Sequence, residues 1–150
     1  MNFQKHFFLT TLSILTILLT NVFASEKEDR EAIRQTISYF VQSGDTQSSK
    51  LGKKSLHEDC KQIILGNIGE TEKGFMEMPT SVYLKMLDEK KIGGDKRTFE
   101  ISSLEVSNQT ASAKVKIYSE KHTFTDFISL AKFGNEWKII GILIDFQSEK

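Results

Sequence analysis

The chain predicts an α+β domain, with three N-terminal helices packed on one face of a strongly bent antiparallel sheet. Three observations lead there. Apolar residues recur with helical spacing in the first half. From Arg97 onward the period drops from 3.6 to 2. The last quarter, His122 to Gln147, reads as two long strands around a turn at Gly134-Asn135, apolar on both faces. A hairpin with no face meant for water points to a bent sheet that covers a pocket on one side and a partner on the other. Helices first and strands afterwards is the order of a helix-on-sheet domain.

The chain has 150 residues. Its opening has the parts of a secretory signal: Lys5 and His6, an apolar run from Phe7 to Leu19, and the small-residue site Val22-Phe23-Ala24. The run is shorter than the roughly 20 residues a membrane span needs. Cleavage after Ala24 therefore predicts a mature, periplasmic or secreted domain over 25–150, with no membrane attachment afterwards. That domain carries 19 basic and 20 acidic residues, so no basic excess points to nucleic acid or anionic lipid. Cys60 is the only cysteine, which excludes an intramolecular disulfide and leaves burial or a bridge between chains.

Ser25 and Glu28 match the S-x-x-E capping box, where each side chain serves an otherwise unpaired backbone N–H. Ile33, Ile37, Phe40 and Val41 then fall at i, i+4, i+7 and i+8, and Gly44 is a plausible stop. A shorter helix is expected from about Gln47 to Leu56, with Leu51 and Ser55 inward and Gly52 a weak point. Lys61 to Gly66 and Lys73 to Met78 read as short strands around the turn-rich Asn67–Thr71. Pro79 suits the first turn of a third helix, with Tyr83, Met86, Leu87 and Lys90 on one face and Gly93-Gly94 at its end.

In the strand half, Phe99 and Ile101 alternate, and Leu104 and Val106 continue one step out of phase. The slip across Ser102-Ser103 predicts a β-bulge. Ala111, Ala113, Val115 and Ile117 form one apolar face. In the closing hairpin, Phe124, Ile128 and Leu130 share a face, with Phe127, Ala131 and Phe133 opposite. Strict alternation puts Trp137, Ile139 and Leu143 on one face of the last strand, and Ile140, Ile142, Ile144 and Phe146 on the other.

Four stretches carry a family resemblance: Glu31, Ile33, Ile37, Tyr39 and Phe40 in the first helix; Leu56, His57 and Asp59; Ala111, Ala113 and Val115; and Phe124 to Lys132 with Trp137 to Ile140. On these the chain resembles the nuclear transport factor 2-like superfamily, its SnoaL-like branch, and most closely the exported bacterial group called putative lumazine-binding proteins. The group commonly has Phe before its His, where this chain has Leu56. The resemblance implies a cone, in which a bent sheet wraps a long helix and leaves a cavity at its wide end. It also implies pairing of two copies through the outer sheet face. Members include ketosteroid isomerases, dehydratases, polyketide cyclases and proteins with no known activity.

Asp126 is the sharpest candidate for chemistry. It shares a face with Phe124, Ile128 and Leu130, and burial among apolar neighbours raises a carboxyl pKa. It fits a general base, or an Asp that orients a ligand or accepts structural hydrogen bonds. The run His57-Glu58-Asp59-Cys60 has metal-ligand residue types, but neighbouring side chains diverge too widely to share one ion. His57 fits a pocket mouth, a surface position, or a proton partner of Asp126. Tyr39 fits a cavity hydroxyl or amphipathic core filler, and Trp137 fits core or a ligand-stacking wall. No cofactor signature is present, neither a phosphate loop nor a C-x-x-C pair. The expected protein is a non-catalytic binder of a small, partly apolar molecule. The alternatives are an isomerase-, dehydratase- or cyclase-like enzyme using Asp126, and a dimeric interaction module whose cone is filled by its own side chains.

Overall fold

A computed structural model describes residues 26–66, 74–120 and 122–148. The leader segment, Ser25 of the capping box, Asn67–Thr71 and Lys73 lie outside them. Helix α1 covers 26–45 and is followed by α2 (Ser49–Ser55), β1 (Leu56–Gly66), β2 (Met76–Pro79) and α3 (Thr80–Asp88). Strands β3 (Thr98–Ser107), β4 (Thr110–Tyr118), β5 (His122–Phe133) and β6 (Glu136–Ser148) complete the domain. The expected order of helices before strands holds, and the fold is α+β.

The six strands form one sheet in the order β2-β1-β6-β5-β4-β3. The expected sheet was antiparallel throughout, but β1 pairs with β6 in parallel. The β1–β2 hairpin joins the main sheet at one edge, and the last strand of the chain is inserted between β1 and β5. Local alternation specifies which side of a strand is apolar. It carries no information on which distant strand lies alongside, or in which direction.

The core forms where α1 lies against the concave face. Ile33, Ile37, Phe40 and Val41 are all buried there, against Val115, Ile117, Ile128 and Ile139 from the sheet. In α2 the buried positions are Gly52 and Ser55, while Leu51 is half-buried. In α3 Tyr83 and Leu87 face inward as expected, joined by Thr80. Lys90, expected on the same face, is exposed and lies past the helix end in the left-handed region (φ 54°).

Three irregularities shape the sheet. Register shifts between Ile101 and Ser103, so Ser102 is the extra residue of the expected bulge. A second shift falls early in β1, between Leu56 and Lys61. There the Thr80 hydroxyl meets the carbonyls of both His57 and Cys60, at 3.0 Å each, and so serves backbone groups that the shift takes off the ladder. The third was not foreseen. Ser129 pairs with Gly141 but Leu130 pairs with Ile139, so Ile140 is the extra residue of a bulge in β6. The bulge exchanges the two faces of the strand. Trp137, Ile139, Ile142 and Ile144 all point inward, whereas Ile140 and Leu143 are both 42% exposed. This corrects the strict alternation expected along β6.

Candidate functional site

Between the helices and the concave face lies a cavity of about 260 Å³. Every layer of the fold contributes to it. Phe40 and Gly44 come from α1, Tyr83 and Leu87 from α3, Gln62 and Ile64 from β1, and Phe124 and Asp126 from β5. Ile92, Gly93 and Arg97, from the segment between α3 and β3, close one side.

Alternation along β5 turns Asp126 inward with Ile128 and Leu130, and it is 2% exposed. Its Oδ1 has no hydrogen-bond partner among the described residues. Burial pushes its carboxyl pKa up to about 7, and the Arg97 charge offsets only part of that rise. A group that exchanges its proton near neutrality inside a cavity can accept a proton, donate one, or anchor a polar ligand group. Gln62, 3% exposed, leaves its amide Nε2 without a partner as well. Its inward position follows from the alternation Cys60, Gln62, Ile64. That signal was in the sequence, since a polar residue held an apolar phase, but the residue types drew no attention to it.

Two further polar groups, Tyr83 and Arg97, line the cavity. The Ser43 hydroxyl donates to the Phe40 carbonyl (2.6 Å). It must therefore accept the contact from the Tyr83 hydroxyl (2.9 Å). The proton of Tyr83 is committed away from the cavity, and burial raises its phenol pKa. Arg97 is anchored to α1: its Nε donates to Asp45 Oδ1 and its Nη2 to the Val41 carbonyl, both at 2.6 Å. This requires glycine at 44, where a Cβ would collide with the guanidinium, and at 93, where one would meet the Gly44 carbonyl. Gly93 also has φ +75°, which side chains rarely adopt.

Of the four residues singled out from the sequence, Asp126 lines this cavity and the other three do not. Trp137 is buried elsewhere, its indole N–H donating to Asp29 Oδ1 (2.9 Å), which also holds the Lys132 ammonium (2.6 Å). Burial alone would raise the Asp29 pKa, but these two donors bring it below the usual carboxylate value. Tyr39 is half-buried beneath the Lys54 ammonium, 3.8 Å from its ring centroid. His57 stacks on Phe133 (4.7 Å between centroids), and its Nδ1 accepts the Asp59 N–H. It lines a separate groove with Lys53, Leu84 and Lys138, so His57 and Asp126 belong to different concavities. The run from 57 to 60 splits as its geometry requires, with Cys60 buried and Glu58 and Asp59 exposed. Burial pushes the Cys60 thiol up to about 11, which makes it inert near neutral pH.

The sequence family described as Putative lumazine-binding matches residues 28–142. The chain belongs to that family. Asp126, both anchors of Arg97 and all the cavity-lining residues but Ile144 lie within the matched span. No curated protein sequence matches the chain. Among solved structures, it is similar to an NTF2-like protein of unknown function from Silicibacter pomeroyi, with TM-score 0.69, 13% identity and coverage of 81% of this chain and 98% of that one. An NTF2-like protein of unknown function from Shewanella baltica aligns with TM-score 0.66 and 14% identity over 81% and 94% of the two chains. An NTF2-like protein from Cytophaga hutchinsonii gives TM-score 0.65 and 15% identity over 77% of this chain and 96% of that one. At such identities the likeness shows the fold: this putative lumazine-binding family member has the nuclear transport factor 2-like architecture.

Proposed function

We propose that this domain is an exported binding protein that takes one small, partly apolar molecule into its cavity, with Asp126 and Gln62 orienting it. The observation that carries the reading is the pair of buried polar atoms, Asp126 Oδ1 and Gln62 Nε2, without partners in a cavity with mainly apolar walls. Burying such atoms unpaired costs about 1–3 kcal/mol each, which a ligand supplying the missing contacts would recover. The cavity is several times the ~30 Å³ share of one water molecule, which weighs against a cone filled by its own side chains. Native mass spectrometry of the protein purified from the cells that export it tests the reading. A defined extra mass is expected, absent from an Ile144→Phe variant that fills the cavity. A bare protein in both preparations overturns it.

The apolar outer face supports pairing of two copies. Phe127 is 49% exposed and stands opposite Leu143, which in turn stands opposite Ile63. A row of this kind across three strands is what a two-fold sheet-to-sheet contact would cover.

A second reading is favoured by one observation. An Asp126 carboxyl held at about 7 is a competent general base near neutral pH, as an isomerase-, dehydratase- or cyclase-like reaction requires. It predicts turnover of a carbonyl substrate that Asp126→Asn removes while the fold remains.

A further inference from the structure

We propose that the occupant of the cavity is an organic ammonium: a small molecule with a protonated amine head set against Asp126, an apolar body, and a hydrogen-bond acceptor at its far end for Gln62. This rests on the ligand-binding reading above and names the chemical class of the ligand.

The argument begins with charge. Among the residues lining the cavity, Arg97 is the one fixed cation and Asp126 the one carboxylate. Arg97 is held toward α1 by its bonds to Asp45 and the Val41 carbonyl, makes no ion pair with Asp126, and offsets only part of the cost of burying that carboxylate. Asp126 is thus a buried carboxylate with an unpartnered Oδ1 and a nearby cation whose ion pair is made with Asp45 instead. The groups around it confirm the assignment. Across the ladder β4 offers Val115 and β6 offers Ile144, neither of them polar. Helix α1 offers Asp45, already paired, and α3 offers Tyr83.

Tyr83 adds the second term. Its hydroxyl proton points to Ser43, so what it can present to the cavity is an oxygen lone pair. A carboxylate and a phenol oxygen are both acceptors, and an ammonium, with up to three donors and no acceptor, is their complement. The aromatic rings of Phe40, Phe124 and Tyr83 in the same wall add faces that attract cations. Gln62 lies two strands away on β1, with β6 between. Its unpartnered Nε2 is a donor, which an ammonium cannot satisfy, so it donates instead to the other end of the ligand.

Three probes of one shape and different head groups test this: benzylammonium, benzyl alcohol and benzoate, titrated into the intact protein by calorimetry at about pH 8, where Asp126 is ionised. Benzylammonium is expected to bind about tenfold more tightly than benzyl alcohol, with benzoate weakest. In Asp126→Asn the ammonium loses its advantage over benzyl alcohol, and a cooperative thermal unfolding transition shows that the variant is folded. Lowering the pH below about 7 should weaken benzylammonium, because Asp126 must then release a proton to receive it. Benzyl alcohol or benzoate binding as well as the amine, or a preference for the amine that survives in Asp126→Asn, overturns the ammonium assignment and leaves the pocket reading standing. Failure of all three probes to bind overturns the pocket reading, and this inference with it.

Discussion

Asp126 couples the stability of the domain to pH. Its folded pKa, about 7, lies above the ordinary 3.8, so the folded state holds the proton more tightly than the unfolded chain does. The resulting stability is fully present below the unfolded value and is lost as pH rises through about 7. At ~1.4 kcal/mol per pH unit the full loss is on the order of 4 kcal/mol. Asp126→Asn, which cannot ionise, should therefore melt above the parent protein at about pH 8 and converge with it near pH 4; thermal unfolding across that range checks the sign. The glycines behind Arg97 give a second prediction. Gly44→Ala meets the end of a flexible side chain, which can move at the cost of its Asp45 and Val41 contacts, about 1–3 kcal/mol. Gly93→Ala meets backbone at a positive φ, and should lose more in denaturant unfolding than Gly44→Ala. Asp126 was legible because a charge stood in an apolar phase. Gln62 stood in an equally clear phase, but an amide draws less notice than a carboxylate. Arg97 and Tyr83 could not be read as site residues, since their roles depend on Asp45, Val41 and Ser43 up to 56 positions away.

At the level of elements, β6 shows how one residue redirects a strand. The bulge at Ile140 lets Trp137 and Ile139 face the same core as Ile142 and Ile144, which an unbroken strand would place on opposite sides. Two neighbours should then respond in opposite ways. Ile139→Ala should cost about 2–5 kcal/mol, and Ile140→Ala less than ~1 kcal/mol, by equilibrium denaturation of the two variants. Equal losses would mean that β6 runs without the bulge. The bulge at Ser102 was visible because the apolar phase slips between Ile101 and Leu104 within one short strand. In β6 the stretch from Ile139 to Ile144 is apolar in both phases, so a slip there leaves no mark on the pattern. Helix α1 was the opposite case: Ile33, Ile37, Phe40 and Val41 repeat with one period, and all are buried.

At the scale of the whole molecule, the outer face of the sheet carries large apolar side chains exposed to water. Phe127, Ile140 and Leu143 lie exposed there on adjacent strands, with Lys114 5.4 Å from the Phe127 ring. If two copies meet through this face, Leu143→Lys should give a monomer with an unchanged circular dichroism spectrum. Sedimentation at micromolar concentration reads the difference, and a parent protein that already sediments as a monomer removes the pairing reading. The inner and outer faces carry separate parts of the proposed function. The concave side encloses the cavity around Asp126, and the convex side would hold the partner, so variants on one face should leave the property of the other intact.

Sequence alone determined the α+β class, the face of α1 that packs, the bulge in β3 and the inward turn of Asp126. Each depends on local periodicity and on the tendency of apolar groups to leave water, and both can be read within a few residues. Tertiary structure alone decided the parallel β1–β6 pair, the face exchange in β6, the separation of His57, Tyr39 and Trp137 from the cavity, and the joining of Gln62, Tyr83 and Arg97 to Asp126. Those outcomes depend on contacts between distant segments, where direction, register and the commitment of each donor are settled only when the sheet closes over the helices.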